Sequence, residues 1–359
     1  MPPNFRFGVI SDLHIGLPHT VQDHPYRFHL VELSIPALES VLEHFSQLDL
    51  DFLLIPGDLT QDGEPENHAW LSQRLAQLPY PTYVIPGNHD VLSPVPTETC
   101  IGLQEFPGYY QKSGYQNPEQ LYYTHEPFPG VRLIALNSNQ FDDNGKQLGI
   151  LDEQQLAWLE AVLEKTAQEF VMVMVHHNVL EHFPNQAENV VGKRYMLSNA
   201  PRLLDRLQQH QVQLVLTGHL HVQNIAEHNG LYDITTGSLV SYPHPYRVMD
   251  VSQGVVNIES HRVKSLPDWP TLQTMSRQMM GQRSPRFMTH FLMQPPLNLS
   301  QQEATDLAPQ LTDFWATVAQ GDEAMSYPHL PGPVRDYFES FSSHGPSDNQ
   351  GVITLKSSV

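Results

Sequence analysis

Short apolar runs recur along the chain at 5–10, 52–55, 82–85, 131–136, 170–175 and 213–216, with helix-patterned stretches between them. Runs without polar alternation suit strands buried on both faces of a sheet that helices cover. Helical spacing predicts helices over 30–47, 65–77, 152–165 and 201–209. In the third, Asp152 stands at the N-cap, Glu153 follows in the first turn, and Leu156, Leu159, Val162 and Leu163 form an apolar stripe. After Gly218 the pattern shortens into alternating stretches broken at Asn229-Gly230, Thr236-Gly237 and Ser252-Gln253-Gly254, the signature of antiparallel hairpins ending near Val263. The chain reads as α/β, with alternating βα units followed by a β-rich end.

From Lys264 onward Pro, Met and Gln accumulate and the pattern becomes one of broken helices. Ser300-Gln301-Gln302-Glu303 is a capping-box sequence, and the helix it opens carries Leu307, Leu311, Phe314, Trp315 and Val318 on its apolar side. Pro309 must kink or split that helix. Phe314 and Trp315 need a surface to bury against. The expected organisation is a core over 1–264, a mostly helical appendage packed on it over 265–342, and a loose tail over 343–359. No internal repeat is evident.

Composition narrows the function. The chain has 359 residues, 40% of them hydrophobic, enough for a substantial core. Its 19 Lys+Arg stand against 39 Asp+Glu, a net charge of −20 that opposes binding to long nucleic acid. Cys100 is the only cysteine, so neither an intramolecular disulfide nor a thiolate metal cluster can form, and its thiol reads as buried or incidental. The longest apolar run, 170–175, cannot span a bilayer, and the opening residues lack a basic segment followed by an apolar one. The expectation is a cytoplasmic protein without a membrane span. Its 20 histidines outnumber Lys and Arg together, which directs attention to metal ligands and acid/base groups.

Nearly every predicted strand ends in a polar cluster, and ligands of open α/β sheets bind at that edge. The clusters are Ser11-Asp12-Leu13-His14, Pro56-Gly57-Asp58, Pro86-Gly87-Asn88-His89-Asp90, Val175-His176-His177-Asn178 and Thr217-Gly218-His219-Leu220-His221. In an extended chain Asp12 and His14, two apart, lie on one side, and His219 and His221 repeat that spacing. Glycines just before Asp58, Asn88 and His219 allow sharp turns that face the next side chain inward. The candidate donors are Asp12, His14, Asp58, Asn88, one of His176 or His177, His219 and His221. This set exceeds what one ion needs and suits two ions sharing a carboxylate.

The ordered set D-x-H, G-D, G-N-H-D, H and G-H-x-H resembles the calcineurin-like metallophosphoesterase superfamily over about residues 5 to 263. The Ser-Asp-Leu-His, Gly-Asp-Leu-Thr, Gly-Asn-His-Asp and His-His elements are most similar to bacterial class III cyclic-nucleotide phosphodiesterases. The resemblance implies a four-layer α/β/β/α sandwich and two divalent ions, Mn, Fe, Zn or Co. Asp12, His14 and His221 would bind one ion, Asn88, His176 and His219 the other, and Asp58 would bridge. His89 would assist the leaving oxygen, with Asp90 orienting its ring. The implied reaction is hydrolysis of a small phosphodiester, such as a 3′,5′-cyclic nucleotide, by a metal-bridging hydroxide. The alternatives are a phosphomonoesterase or protein phosphatase of the same superfamily, or a non-catalytic metal-binding scaffold. Position 61 is Gln rather than the tyrosine of purple acid phosphatases, and Asn178 replaces the proline common after the His pair.

Around this set, His177, Lys193 and Arg194 are candidate substrate contacts. His19, His24 and His29 are expected in a solvated loop bordering the first cluster. His44, His68, His210 and His344 are expected to be ordinary surface or hydrogen-bonded core histidines. A homo-oligomer stays open.

Overall fold

The computed structural model of the protein describes residues 3–22, 24, 27–343 and 347–356. His344 lies outside them. The strands, in chain order, are β1 (Phe5–Val9), β2 (Phe52–Ile55), β3 (Thr82–Val84), β4 (Tyr123–Phe128), β5 (Val131–Ala135), β6 (Asn139–Phe141), β7 (Gln147–Gly149), β8 (Phe170–Met174), β9 (Leu214–Thr217), β10 (Asn224–His228), β11 (Leu231–Thr235), β12 (Pro245–Ser252), β13 (Val255–Arg262) and β14 (Gln350–Thr354). One six-stranded sheet runs β14-β13-β12-β1-β2-β3 and a second runs β10-β11-β9-β8-β5-β4, while β6 and β7 form a separate hairpin. The parallel sets β1-β2-β3 and β5-β8-β9 are the short, mostly apolar runs of the sequence. The antiparallel pairs β10-β11 and β12-β13 are the alternating stretches after Gly218.

The helices are α1 (Ser34–Phe45), α2 (Pro65–Leu75), α3 (Phe106–Tyr109), α4 (Glu153–Lys165), α5 (Val190–Lys193), α6 (Ala200–Gln209), α7 (Leu272–Leu292), α8 (Gln301–Leu307), α9 (Phe314–Gln320) and α10 (Gly332–Glu339). The first α-helices end one to several residues inside their predicted limits, and α4 starts at the expected cap, where the Asp152 carboxylate accepts from Gln155 N at 2.7 Å. The two sheets share one core: Phe5 of β1 stacks on Phe128 of β4 at 5.8 Å, and Leu133, Met172 and Leu214 join Phe7, Phe52 and Val84. The alternate residues Ile134, Val173 and Val215 pack instead with Leu156, Leu159, Leu203 and Leu207 of α4 and α6. This two-sided packing is in keeping with the expected α/β/β/α layering.

A separate apolar cluster joins α7 to α10 with Phe183, Leu220, Val222 and Tyr242 of the preceding chain. Phe314 and Trp315, 0% and 5% exposed, are buried there. Pro309 splits its helix as expected, into α8, a 3₁₀ turn over Ala308–Leu311, and α9. Two expectations fail. The broken-helix pattern expected from Lys264 onward does not extend to Pro285, through which α7 runs for 21 residues. Over its described residues the 343–359 stretch is not loose, because β14 pairs with β13 from Val255↔Thr354 to Glu259↔Gln350.

Asp348 explains why β14 docks. Its buried carboxylate accepts from Ile225 N, Asn224 Nδ2, Asp322 N and Ser343 Oγ, each at 3.0 Å. Its carbonyl accepts from the fully buried Arg247 of β12, which also donates to the Thr235 carbonyl of β11 and so ties the two sheets together. Asp348→Ala is expected to cost about 2–3 kcal/mol, because several donors lose their acceptor at once. A urea melt unchanged from wild type would refute this account of the C-terminal strand.

Candidate active site

The polar clusters after β1, β2, β3, β8 and β9 meet at one end of the two packed sheets. Backbone bonds zip the first two loops: Asp12 N donates to Gly57 O at 3.2 Å and His14 N to Asp58 O at 2.9 Å. Across the sheets, His219 N donates to Asp12 Oδ1 at 3.0 Å, and His176 Nδ1 donates to Pro56 O at 2.8 Å. That last bond fixes the tautomer of His176 and turns Nε2 toward the site.

Convergence does not come from extended-strand alternation. Asp12, His14, Asp58, His219 and His221 all adopt left-handed backbone conformations, with φ of 51°, 44°, 49°, 67° and 59°. Such conformations are unfavourable for residues with a Cβ, and they cluster where a site overrides local preference. The glycines also act differently from one another. Gly57 needs its positive φ of 98°. At Gly87 the issue is room, since a Cβ would lie 2.2 Å from Asp58 Oδ1 and 2.4 Å from Asp58 N. Gly87→Ala is therefore expected to displace Asp58 and weaken metal affinity roughly tenfold or more. Titration of the chelated protein with Mn²⁺ or Zn²⁺ would measure it, and wild-type affinity would refute the steric argument.

Two donor groups form around one carboxylate. Asp12, His14, Asp58 and His221 make one, Asp58, His176 and His219 the other, with the ligand atoms of each within 4.8 Å of one another. His221 Nε2 lies 3.3 Å from Asp12 Oδ1 and 3.3 Å from His14 Nε2, and His176 Nε2 lies 3.4 Å from Asp58 Oδ2 and 3.1 Å from Asn88 Oδ1. Asp58 Oδ2 is buried without a hydrogen-bond partner. An unpaired buried carboxylate oxygen amid converging imidazole nitrogens is costly for protein alone and fits metal ions with N/O ligands.

Protonation follows the crowding. Burial pushes His14 well below its ordinary pKa, reinforced by His29 and His89, and does the same to His219 with His177 and His176. Burial also lowers His177, to about 3. Neutral imidazole is the metal-binding form. For Asp58 burial opposes ionisation, but His176, His89 and His14 outweigh it and hold the carboxyl well below its usual range. His176 is the reciprocal case, pushed up to about 9 because Asp58 and Asp12 overcome the effect of burial.

His89 lines the cavity next to these groups. Its backbone N donates to Asp58 Oδ1 at 2.8 Å, and its Nδ1 donates to Gln61 O at 2.7 Å, leaving Nε2 free to exchange a proton. Asp90 does not orient this ring, contrary to expectation. Its fully buried carboxylate accepts from Thr60 N and Gly87 N, both at 2.8 Å, and so clamps the Asp58 and Asn88 loops together. Burial, aided by Asp58, raises Asp90 to about 7.

A model of the calcineurin-like phosphoesterase family matches residues 5–223. The chain belongs to this family. Its relatives include a probable glycerophosphodiester phosphodiesterase of Arcobacter nitrofigilis, 29% identical over 56% of this chain and 68% of the relative. A probable cyclic nucleotide phosphodiesterase of a Synechococcus strain is 31% identical over 53% of this chain and 65% of its own length. The matched region thus spans about two thirds of these relatives. A dimetal phosphatase from Danio rerio is 17% identical with a TM-score of 0.52, covering 72% of this chain and 96% of that one, and so shares the fold.

Measured against the phosphoesterase motifs, Asp12, His14, Asp58, Asn88, His176, His219 and His221 are all brought together. His177 lines the cavity and its Nδ1 meets Ser138 Oγ at 2.8 Å. Arg194 lines the cavity too, whereas Lys193 is exposed and does not. Cys100 is buried, and His68 is a hydrogen-bonded core residue facing Tyr110 OH at 2.9 Å. His29 corrects the solvated-loop expectation. It is buried, stacks on His14 at 4.3 Å, and bonds Gln61 Oε1 through Nε2 at 2.9 Å, while His19 is exposed beside Glu66. Arg27 also lines the cavity and was not anticipated. Its guanidinium is engaged by Glu32 and the Gln22 carbonyl. Nothing in the periodicity of 16–30 marks either residue. Among the described residues no helix is long and apolar enough to cross a membrane.

Proposed function

We propose that this chain, a metal-dependent phosphoric ester hydrolase by family, is a phosphodiesterase acting on a small substrate. The observation that carries this reading is Asp58, common to two donor groups, with one oxygen buried and unpaired at the floor of a cavity of about 410 Å³. Asp12, His14 and His221 would hold one divalent ion and Asn88, His176 and His219 the other, with Asp58 shared. Such a pair lowers the pKa of bound water and neutralises charge on a phosphoryl group. Mn, Fe, Zn and Co all suit this donor set.

The remaining work falls to the protein. His89, held at Nδ1 by Gln61 O, delivers a proton from Nε2 to the departing ester oxygen. His177, kept neutral by burial and anchored to Ser138, offers an uncharged edge to the substrate. A diester is favoured by charge. A monoester dianion calls for positive charge beyond the ions, yet the buried Arg27 guanidinium is already paired with Glu32 and Lys193 does not line the cavity. That leaves Arg194, stacked over the Tyr195 ring, as the cavity cation to be weighed in the comparison below. The names of the two relatives, one for a glycerophosphodiester and one for a cyclic nucleotide, agree with a diester substrate.

The test is kcat/KM for bis-p-nitrophenyl phosphate against p-nitrophenyl phosphate at one metal composition, with metal analysis in parallel. The diester is expected to be preferred. A monoester preference of roughly tenfold, about 1.4 kcal/mol in transition-state binding, would replace this reading with a phosphomonoesterase.

A further inference from the structure

The family match ends at residue 223, yet the cavity beside the metal-ligand cluster is completed by residues far beyond it. Met280 of α7 and Trp315 of α9 line it, together with Phe28 from the loop before α1. This surface is built rather than incidental. Phe28 meets Phe287 of α7 edge to face at 5.7 Å, and Phe287 lies 5.4 Å from Trp315. Arg283 of α7 donates to the Arg27 carbonyl, pinning the loop to the helix. Met280 and Trp315 are only 1% and 5% exposed, so the area they give the cavity is fixed by the cluster that packs the C-terminal helices.

The phosphate needs none of these groups, since the ligand cluster and His89 deal with it. What an indole, a phenyl ring and a thioether recognise is the organic part of an ester, and they favour a flat apolar group over a glycerol-like polyol. Resting on the phosphodiesterase reading, we propose that Phe28, Met280 and Trp315 form the specificity-determining wall of the pocket and select a diester carrying a planar aromatic ester group. The C-terminal helices then set substrate choice for a catalytic cluster that lies outside them.

The experiment is calorimetric binding of diphenyl phosphate and dimethyl phosphate to the metal-loaded full chain, which asks for recognition without turnover. The wild type is expected to bind diphenyl phosphate more tightly. Trp315→Leu and Phe28→Leu, which keep apolar volume but remove a plane, are each expected to narrow the ratio of dissociation constants roughly fivefold. Phe28 is half-buried on a loop, so its variant remains informative if Trp315→Leu does not fold; melting curves accompany both. Equal binding of the two anions by the wild type overturns the proposal, as does an unchanged ratio in the folded variants. If the ratio behaves as expected while bis-p-nitrophenyl phosphate is not hydrolysed, the wall stands and the phosphodiesterase reading falls.

Discussion

Asp58→Ala is expected to bring metal-dependent turnover down to background and to lose the ions together, because the two donor groups have only this carboxylate in common. Elemental analysis after gel filtration and assays across added Mn²⁺, Zn²⁺ and Co²⁺ would measure it. An Asp58→Ala protein that retains activity, or a wild type fully active after rigorous chelation, would end the two-ion reading. The residue also matters without metal. Asp58 sits below its ordinary pKa and His176 is raised to about 9, so this pair stabilises the chelated protein when both are charged. The Asp58 contribution is present above its unfolded pKa of about 3.9 and lost in acid. The His176 contribution is complete below its unfolded pKa of about 6.5 and lost as pH rises through the folded value. His14, His29, His177 and His219, all lowered, complete their titration below pH 7, and Asp90 at about 7 has largely done so by about pH 8. A fall in melting temperature of the chelated chain between about pH 8 and 9 therefore reports His176. Asp58→Asn, which keeps the shape, should flatten it. A persistent slope in that variant would remove the pair from the account.

His89→Ala should leave metal content near wild type and lower turnover on poorly activated diesters by ~10² to 10⁴, the scale of a lost general acid. The ring is not placed in either donor group, and its backbone amide, which supports Asp58, survives the substitution. The deficit should shrink for p-nitrophenolate, which departs without a proton. A similar deficit for every leaving group would mean that His89 stabilises charge on the phosphoryl group instead. Loss of an ion would place it among the ligands.

Each feature was legible to the extent that local rules governed it. The parallel strands were, because burial on both faces leaves an unbroken apolar run, and the ligand set was, because each such run ends in a polar cluster. The geometry of those clusters was not. Alternation along an extended strand places Asp12 and His14 on one side, but the chain reaches that result through left-handed conformations imposed by tertiary contacts. Pro285 reads as a helix breaker, and α7 passes through it because packing of Met280, Met288 and Phe291 outweighs the lost hydrogen bond. The strand Gln350–Thr354 alternates like a weak edge, and what docks it, Asp348, works in part through Asn224 and Ile225, more than 100 residues away. Arg27 and His29 sit in a loop without periodicity, where only three-dimensional closure reveals a role.

The pairing of β1 with β12 also constrains how the protein is made. Phe5 pairs with Val251, and the loop carrying Asp12 is further bound through Ser238, which donates to the Asp12 carbonyl at 2.8 Å. On the ribosome the first ligand segment therefore waits for a partner synthesised ~10–50 s later, at elongation rates of about 5–20 residues per second. Through most of that interval the Asp58 loop, which bonds to the Asp12 loop, is already made, but His219 and His221 are not. Correct loading of the pair belongs after translation of the hairpin β12-β13. Growth medium rich in one transition metal during expression, compared with loading after purification, should then give different occupancies for the same polypeptide.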